Sequence, residues 1–220
     1  AININPLEPE NYLSRAWTYF NLRDYKKSNL DYEKVVDIGD PKQKLDSIIY
    51  LMENNFILSN LSKVPELIKE AKILLNQSDN KENEGALLYA ESRYYLFVGN
   101  FKKSEELSKK CLAKTNDLIY ENACSSILSN IYIDTKNYDK AKKFIKFRTY
   151  EGQLSLAYIA FMEKKLQKAE RILKRIYKKQ FQSKDFQKPD PYLSSMVGSA
   201  LWFQGKNKEA KVFHKESLET

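Results

Sequence analysis

Small, aromatic and polar positions recur along the chain in one fixed order. A small residue is followed three positions later by an aromatic one, then by a polar turn, a second aromatic residue and a second small residue. The small residues lie twelve positions apart, and the five pairs, the last two less regular, are Ala16 with Ser28, Ser92 with Ser104, Ser129 with Ala141, Ala157 with Ala169, and Gly198 with Ala210. Because small side chains let antiparallel helices cross closely, and a polar turn reverses the chain, the pattern predicts helix hairpins.

Six hairpins of this kind fit the chain. The second is the least regular, since Asn55 and Leu67 occupy its small positions. An aspartate followed by proline, which is typical of a helix start, precedes the second and sixth hairpins at residues 40–41 and 190–191. We predict a single domain of residues 1–220, with repeats at 9–42, 43–78, 83–116, 120–149, 150–182 and 190–220.

The spacing of the hairpins is uneven. The small position of each second helix recurs after 39, 37, 37, 28 and 41 residues. The short fourth interval predicts a clipped helix near Phe147–Tyr150. The long fifth interval predicts an extended loop over Gln180–Tyr192, and the polar run Asn76–Glu84 predicts another loop.

This pattern resembles the tetratricopeptide repeat family from about Glu8 to Leu218. The resemblance implies an all-α fold, an α-solenoid of about six antiparallel helix-turn-helix repeats wound into a right-handed superhelix. It also implies a scaffold that binds a protein or peptide partner without catalysis. Lysine supplies 31 of the 37 basic residues and asparagine is frequent, a bias that we interpret as the signature of an AT-rich bacterial genome.

In that family, the first helix of each repeat lines the concave face, where partners bind. The residues that the resemblance places there and that we predict to bind a partner are Trp17, Phe20, Phe56, Tyr89, Arg93, Asn130, Tyr158 and Trp202. Most of these are aromatic. We expect groove exposure for Trp17, Phe56, Arg93, Asn130, Tyr158 and Trp202, and core packing for Leu13, Leu96, Ile133 and Phe161.

The same positions exclude one specialisation of the family. Members that grip a C-terminal carboxylate use lysine, asparagine and arginine on this face, whereas Leu13 and Trp17 stand at the positions of the first repeat. The resemblance therefore implies an apolar or amphipathic helix, or an extended apolar segment, as the ligand. A cell-envelope or assembly complex is a setting that fits such a scaffold.

Charge suggests an alternative site. The formal net charge is +8, and residues 101–220 carry 25 Lys and Arg against 14 Asp and Glu. The basic segment Lys164–Lys188 includes a patch formed by Lys164, Lys168, Arg171, Arg175 and Lys178. It could bind nucleic acid or an anionic surface, including peripheral association with a membrane. The low share of arginine and the usual role of the family argue against nucleic acid, and the plainer alternative is that these lysines solvate outer helix faces.

Catalytic signals are weak. His214 is the only histidine, and carboxylates are dispersed rather than paired in apolar surroundings. We see neither a glycine-rich phosphate loop nor metal-ligand spacing, so we predict no enzyme activity, no cofactor and no metal. Cys111 and Cys124 are too few for a disulfide framework. They are either free or face each other across a repeat junction.

The ends of the chain leave two questions open. No apolar run is long enough to span a bilayer, so the compartment is either the cytoplasm or, if an upstream signal has been removed, the periplasm or cell envelope. Repeat arrays usually end in a polar capping helix, whereas the last repeat carries Trp202, Phe203, Val212 and Phe213. Uncovered, these residues would allow self-association through the C-terminal repeat, unless the chain continues further.

Overall fold

The computed structural model describes residues 5–77, 83–182 and 190–218. All regular structure in these ranges is helical, which confirms the predicted all-α fold. The α-helices are α1 (Pro9–Asn21), α2 (Tyr25–Ile38), α3 (Pro41–Ile57), α4 (Val64–Gln77), α5 (Glu84–Phe97), α6 (Phe101–Lys114), α7 (Leu118–Asp134), α8 (Tyr138–Phe144), α9 (Tyr150–Met162), α10 (Leu166–Gln182), α11 (Pro191–Trp202) and α12 (Asn207–Leu218). A 3₁₀ turn at Leu61–Lys63 precedes α4. Five of the predicted hairpins are seen as packed pairs of consecutive helices: α1 with α2, α3 with α4, α5 with α6, α9 with α10, and α11 with α12.

The helices group into two compact units, residues 1–131 and 132–220, with the boundary inside α7. In the first unit, α3, α4 and α5 enclose an apolar core around Ile48, Met52 and Ala90. In the second unit, α9 to α12 enclose another, around Leu173 and Val197. The treatment of 1–220 as one domain, with the repeat limits given above, stays a prediction.

The paired small residues lie where the two helices of a hairpin cross. Ala16, Ser28, Ala157 and Ala169 are completely buried. In the first hairpin, the serine hydroxyl bridges the crossing, since Ser28 Oγ donates to the carbonyl of Ala16 at 3.0 Å. The twelve-residue spacing therefore reflects close helix crossings, as predicted.

Each hairpin turn contains one residue with left-handed backbone. These residues, with φ between 57° and 77°, are Arg23, Ser59, Gly99, Lys136, Lys164 and Gly205. The turns share two hydrogen bonds; in the first, Arg23 N donates to Phe20 O at 3.0 Å and Asp24 N to Tyr19 O at 2.9 Å. This is the Schellman arrangement, which satisfies the last carbonyls of a helix. An aspartate or asparagine then caps the next helix in three turns, as Asp24 does by accepting from Lys27 N.

The uneven spacing has a structural counterpart. Helix α8 has seven residues, so the clipped helix ends at Phe144, just before the predicted place. Glycine occupies position 152, after this break, because a Cβ there would lie 2.0 Å from the carbonyl oxygen of Lys146. Within the segments predicted as loops, 76–84 and 180–192, α4 continues to Gln77 and α10 to Gln182. Residues 78–82 and 183–189 lie outside the described part of the chain.

Candidate functional site

The first unit contains a cleft of about 990 Å³, which we call the aromatic cleft. Four elements of its wall carry aromatic or aliphatic side chains: α1, α2, α3 and the start of α7. These side chains are Leu13, Trp17, Tyr32, Ile49, Tyr50 and Tyr120. The remaining wall is polar and consists of Asp46, Asn83 and the loop Lys114–Asp117 between α6 and α7.

Trp17 is fixed in the wall of the aromatic cleft by neighbouring rings. Its ring stacks on Phe20, with centroids 5.5 Å apart, and meets the edge of Tyr50 at 5.6 Å. Tyr50 stacks in turn on buried Tyr32 at 5.2 Å. Trp17 nevertheless remains 47% exposed. It is therefore a rigid aromatic surface already turned towards solvent.

The polar wall of the aromatic cleft carries two carboxylates, Asp46 and Asp117, and one lysine, Lys114. Asp46 accepts a hydrogen bond from Asn83 Nδ2 at 2.5 Å, and Asp117 Oδ1 accepts from the backbone N–H of Ile119 at 2.7 Å. Burial raises the pKa of the Tyr120 phenol, and the surrounding negative groups, Asp117 and Asp46 among them, raise it further. Tyr120 is therefore a neutral phenol in an electronegative site.

A disulfide closes the polar loop of this cleft. Cys111 in α6 is bonded to Cys124 in α7, thirteen positions away, and both are completely buried. The loop Lys114–Asp117 lies between them. Of the two alternatives that the sequence left open, the structure shows the cysteines joined across a repeat junction, so neither offers a free thiol.

Phe56 and Arg93 do not have the exposure expected of them. Phe56 is only 4% exposed and stacks on Phe97 at 5.6 Å. The Arg93 guanidinium lies 4.8 Å from the Phe56 ring centroid and forms an ion pair with Glu53. Burial raises the pKa of Glu53 above its ordinary value, although that arginine partly opposes the shift. The expectation of groove exposure was wrong for Phe56 because the arginine covers its ring, and Arg93 is itself half-buried. This ion pair could not be predicted from sequence spacing, because Glu53 lies 40 positions from Arg93.

Of the other residues predicted to bind a partner in the first unit, Phe20 and Tyr89 contact the wall of the aromatic cleft and Asn130 does not line it. Phe20 supports Trp17, and Tyr89 contacts Tyr120 of the cleft wall at 5.8 Å. Asn130 is exposed but does not line the cleft. The sequence analysis did not identify Asp46 and Tyr50 as site residues. They lie one turn apart on α3, before Phe56, the residue of that helix that was predicted to line the groove.

Tyr158 and Trp202 belong to the second unit and are 38% and 49% exposed. Phe203, next to Trp202, is also exposed, and its ring meets the edge of Phe161 at 5.3 Å. Val212 is exposed, whereas Phe213 packs against Tyr177. Part of the apolar surface expected at the last repeat is therefore uncovered within the described residues.

The predicted basic patch lies on α10 and the turn before it. Its five members, Lys164, Lys168, Arg171, Arg175 and Lys178, are exposed, and none forms an ion pair within the described ranges. Three of them line a shallow cleft of about 680 Å³, the basic cleft, together with Lys165, Gln204 and Lys206. The last two come from the turn between α11 and α12, which the sequence did not place here. The end of the segment, residues 183–188, lies outside the described residues.

One carboxylate anchors the basic cleft. Burial raises the pKa of Glu170, but hydrogen bonds from Lys206, Lys174 and Gln204 outweigh it and hold the pKa at about 2. The Lys206 and Lys174 contacts measure 2.7 and 2.9 Å. Glu170 therefore joins α10 to the turn that supplies Lys206.

His214 has a packing role, because a Cβ at Gly198 would lie 2.8 Å from its Cε1 atom. In the described ranges, no group of three or more His, Cys, Asp or Glu side chains is placed to hold a metal ion. No helix in these ranges combines the length and apolar content needed to cross a membrane.

Comparison with known proteins agrees with this architecture. The family model described as tetratricopeptide repeat matches residues 9–38 and 126–146. Three solved structures share the fold. A tetratricopeptide repeat protein of Parabacteroides merdae has a TM-score of 0.66 at 13% identity, with 96% of this chain and 79% of that chain covered. The pilF protein of Pseudomonas aeruginosa has a TM-score of 0.69 at 10% identity, with 93% and 88% covered. BtubC from P. vanneervenii has a TM-score of 0.67 at 13% identity, with 90% and 88% covered.

One curated protein is also similar in sequence. A urease accessory protein, UreD of Aliarcobacter butzleri, is 24% identical over 206 residues, covering 84% of this chain and 82% of the relative. Together with the structural matches, the helix hairpins show the predicted fold of the tetratricopeptide-repeat type.

Proposed function

We propose that this chain is a non-catalytic scaffold of the tetratricopeptide-repeat type that binds a segment of a partner protein in the aromatic cleft of its first unit, a proposal supported by the repeat model that matches part of the chain and by the shared fold. Folds of this type generally serve protein–protein interaction through extended binding surfaces. One observation carries the proposal: Trp17 is held rigidly by Phe20 and Tyr50 yet half exposed in a cleft of about 990 Å³.

The ligand that fits this cleft is an amphipathic or apolar helix, or an extended segment. Rigid aromatic side chains lose little entropy when they become buried, and they dominate many interfaces. Burial of one large apolar side chain contributes about 1.5–3 kcal/mol. A few such contacts are sufficient for a dissociation constant on the order of micromolar.

Quantitative co-purification from the source cells tests this proposal. The tagged wild type is compared with Trp17→Ala and with Leu30→Ala, which removes an exposed apolar side chain elsewhere in the first unit. We expect a partner whose recovery falls at least about tenfold with Trp17→Ala and is unchanged with Leu30→Ala. Equal recovery by a folded Trp17→Ala variant would remove the cleft from the function.

The second unit offers a further apolar surface for the partner. We propose that Tyr158 and Trp202 contribute contacts there, because both rings are substantially exposed. Trp202 and Phe203 also remain our candidates for self-association through the last repeat. Sedimentation of the wild type and of Trp202→Ala with Phe203→Ala distinguishes the two roles, since only self-association predicts a change in mass without a partner.

We place the scaffold in an oxidising compartment, such as the periplasm, within an envelope or assembly complex. The bonded cysteines support this placement, because disulfides persist in such compartments and are rare in the cytosol. The relative named as an accessory protein is in keeping with an assembly role. Mass spectrometry of alkylated protein from intact cells tests the placement, and fully alkylated thiols in native cells would contradict it.

A second candidate function is the binding of an anionic polymer or surface by the basic cleft. The observation that favours it is the convergence of Lys164, Lys168, Arg171 and Lys206 from two turns and one helix. The probes are a labelled single-stranded oligonucleotide and anionic vesicles. Lys168→Glu with Arg171→Glu should abolish salt-sensitive binding, whereas Lys102→Glu in the first unit should not. Affinity that is flat between low and physiological salt would contradict this function.

A further inference from the structure

We infer that the basic cleft docks on the surface of an anionic phospholipid bilayer, and that exposed apolar side chains beside the cleft enter the headgroup region. This inference rests on the second candidate function and names the anionic ligand of that site. The two turns beside the cleft and the adjoining helix ends, residues 162–168 and 202–208, carry five lysines and one glutamate together with Met162, Trp202 and Phe203. Apolar and basic side chains on one surface are the combination that holds a protein at a membrane interface.

The apolar side chains are uncovered next to the cleft. Met162, Trp202 and Phe203 are 41%, 49% and 65% exposed. Phe203 immediately precedes Gln204, which lines the cleft. Its ring meets the edge of Phe161 at 5.3 Å, and this contact brings the ends of α9 and α11 together. A bilayer that approaches the cleft would therefore meet three large apolar side chains beside its positive charge.

The positive charge of the cleft is not neutralised within the described residues of the second unit. The two carboxylates that contact cleft residues, Glu163 and Glu170, each already pair with two lysines, at 2.6–2.9 Å. The remaining cationic side chains of the cleft form no ion pair with any described residue; these are Lys164, Lys168 and Arg171. Their charge is available to lipid phosphates, and each such side chain near an anionic membrane adds to the attraction.

The backbone of the two turns is suited to a position close to lipid. Gly205 N donates to Trp202 O at 2.9 Å, and Lys206 N donates to Leu201 O at 3.1 Å. The turn between α9 and α10 repeats both hydrogen bonds. Because an unpaired backbone donor near hydrocarbon costs free energy, turns with these donors satisfied let the neighbouring side chains enter the interface with little penalty.

Nucleic acid fits this surface less well than a bilayer does. The cleft presents four lysines and a single arginine, whereas the planar guanidinium of arginine is the group best suited to bidentate contacts with phosphates and bases. Met162 offers no ring on which a base could stack. Lysines act as point charges and apolar side chains need no fixed partner geometry, so both match the surface of a fluid bilayer.

The test compares lipid vesicles with an oligonucleotide, using the full, oxidised protein. Binding is measured by co-sedimentation with vesicles of equal parts phosphatidylglycerol and phosphatidylcholine, with vesicles of phosphatidylcholine alone, and with a labelled single-stranded oligonucleotide. The wild type is compared with the double variant Met162→Ser with Phe203→Ser. The matched control is Phe147→Ser, which removes an exposed ring before the opposite end of α9. Thermal melts verify folding.

The two tryptophans of the chain supply a second readout. Trp17→Phe leaves Trp202 as the only tryptophan, and Trp202→Phe leaves Trp17, which belongs to the first unit. Lipids brominated on the acyl chains quench the fluorescence of a tryptophan that enters the bilayer. The two variants therefore report separately on the surface beside the basic cleft and on the aromatic cleft.

We expect the anionic vesicles to bind at least about tenfold more tightly than the neutral ones, with a blue shift and quenching of Trp202 but not of Trp17. Met162→Ser with Phe203→Ser should lower the affinity for anionic vesicles about tenfold and leave any binding of the oligonucleotide unchanged. Phe147→Ser should change neither.

Three results would overturn the inference and leave the second candidate function intact. One is salt-sensitive vesicle binding that neither quenches Trp202 nor responds to the double substitution, and another is binding of the oligonucleotide alone. The third is a lipid-free dimer that Met162→Ser with Phe203→Ser dissociates, because a second copy would then cover the apolar surface. Absence of salt-sensitive binding to either probe would overturn both the inference and that function.

Discussion

Gly198 makes room for the imidazole of His214 at the crossing of α11 and α12. A methyl group at position 198 would approach Cε1 at 2.8 Å and Nδ1 at 2.9 Å, closer than carbon atoms normally come. The sequence identified Gly198 as a small position paired with Ala210, and the contact explains why the smallest residue occurs there. The same contact gives His214, the only histidine in the sequence, a packing role that does not involve catalysis.

Gly198→Ala should therefore lower the free energy of unfolding by about 1–3 kcal/mol through overpacking. The double variant Gly198→Ala with His214→Ala should recover most of that loss, because the opposing ring is gone. A double-mutant cycle from urea denaturation measures the coupling. Additive effects of the two substitutions would show that the ring and the methyl group do not compete.

Glu170 makes the free energy of unfolding depend on pH. Its pKa in the folded protein is about 2, below the ordinary value of 4.5, so the folded state binds its proton less readily than the unfolded chain does. The stabilisation is therefore complete above about pH 4.5 and is lost as the pH falls towards 2.

We expect the wild type to exceed Glu170→Gln in free energy of unfolding by roughly 1–2 kcal/mol at neutral pH, a value reduced for solvent screening of the ion pairs. The difference should vanish as the pH approaches 2. Chemical denaturation at a series of pH values measures it, with Glu151→Gln as an exposed control in the same unit. A difference that is independent of pH would contradict the assignment.

At the scale of the helices, the six hairpin turns share a conformation but not a residue type. Gly99 and Gly205 occupy the left-handed position in two turns, and non-glycine residues occupy it in four. The pattern of small and apolar residues predicted the helices and their crossings, because these depend on side-chain size. It did not predict this turn geometry, because a left-handed arginine or lysine leaves no mark in composition.

Lys136→Gly should stabilise the protein by about 0.5–1 kcal/mol, because glycine adopts positive φ without the steric cost that other residues incur. Gly99→Ala should destabilise it by about 1 kcal/mol for the converse reason. Apart from its neighbours in the chain, no atom of the described residues lies within 4 Å of a methyl group added at Gly99, so the expected effect is conformational. Thermal denaturation of Lys136→Gly and Gly99→Ala measures both changes in stability. If both substitutions changed stability in the same direction, the steric cost of positive φ would not explain them.

The disulfide acts on the connection between α6 and α7. Replacing Cys111 and Cys124 with alanine should lower the free energy of unfolding by about 2–3 kcal/mol, because a loop of thirteen residues is no longer closed in the unfolded chain. Hydrogen exchange should increase at the loop Lys114–Asp117, which lines the aromatic cleft. Reductant should lower the stability of the wild type and leave that of the double variant unchanged. If reductant affected both proteins equally, the disulfide would not be the source of the stabilisation.

At the scale of the molecule, the sequence predicted the fold far better than the site. Helix periodicity is local and repeats, so six hairpins were visible in one sequence. The aromatic cleft joins Trp17 of α1, Asp46 and Tyr50 of α3, and Asp117 from the loop before α7, without any period in the sequence. Of these residues, only the tryptophan was predicted. Likewise, the basic patch was recognised on α10, but the contribution of Lys206 required the folded hairpin.

Charge also divides the molecule. Residues 132–220 carry 20 basic and 10 acidic side chains, whereas residues 1–131 are slightly acidic. An anionic ligand would therefore be attracted to the second unit rather than to the first. The two proposed binding activities belong to different surfaces, the aromatic cleft and the basic cleft. Each can therefore be removed separately by substitution, and each would respond to salt through its own surface.

The recurring left-handed residue also gives protein engineers a set of equivalent joints. A segment that is cut after one such residue and rejoined after another, for example after Gly99 and Gly205, meets the same backbone direction at both ends. Modules could thus be duplicated, deleted or exchanged with little distortion of the chain path, as the near-additive energetics of repeat proteins allow. An array of altered length, built from this chain, would then present its ligand-binding faces at a chosen spacing.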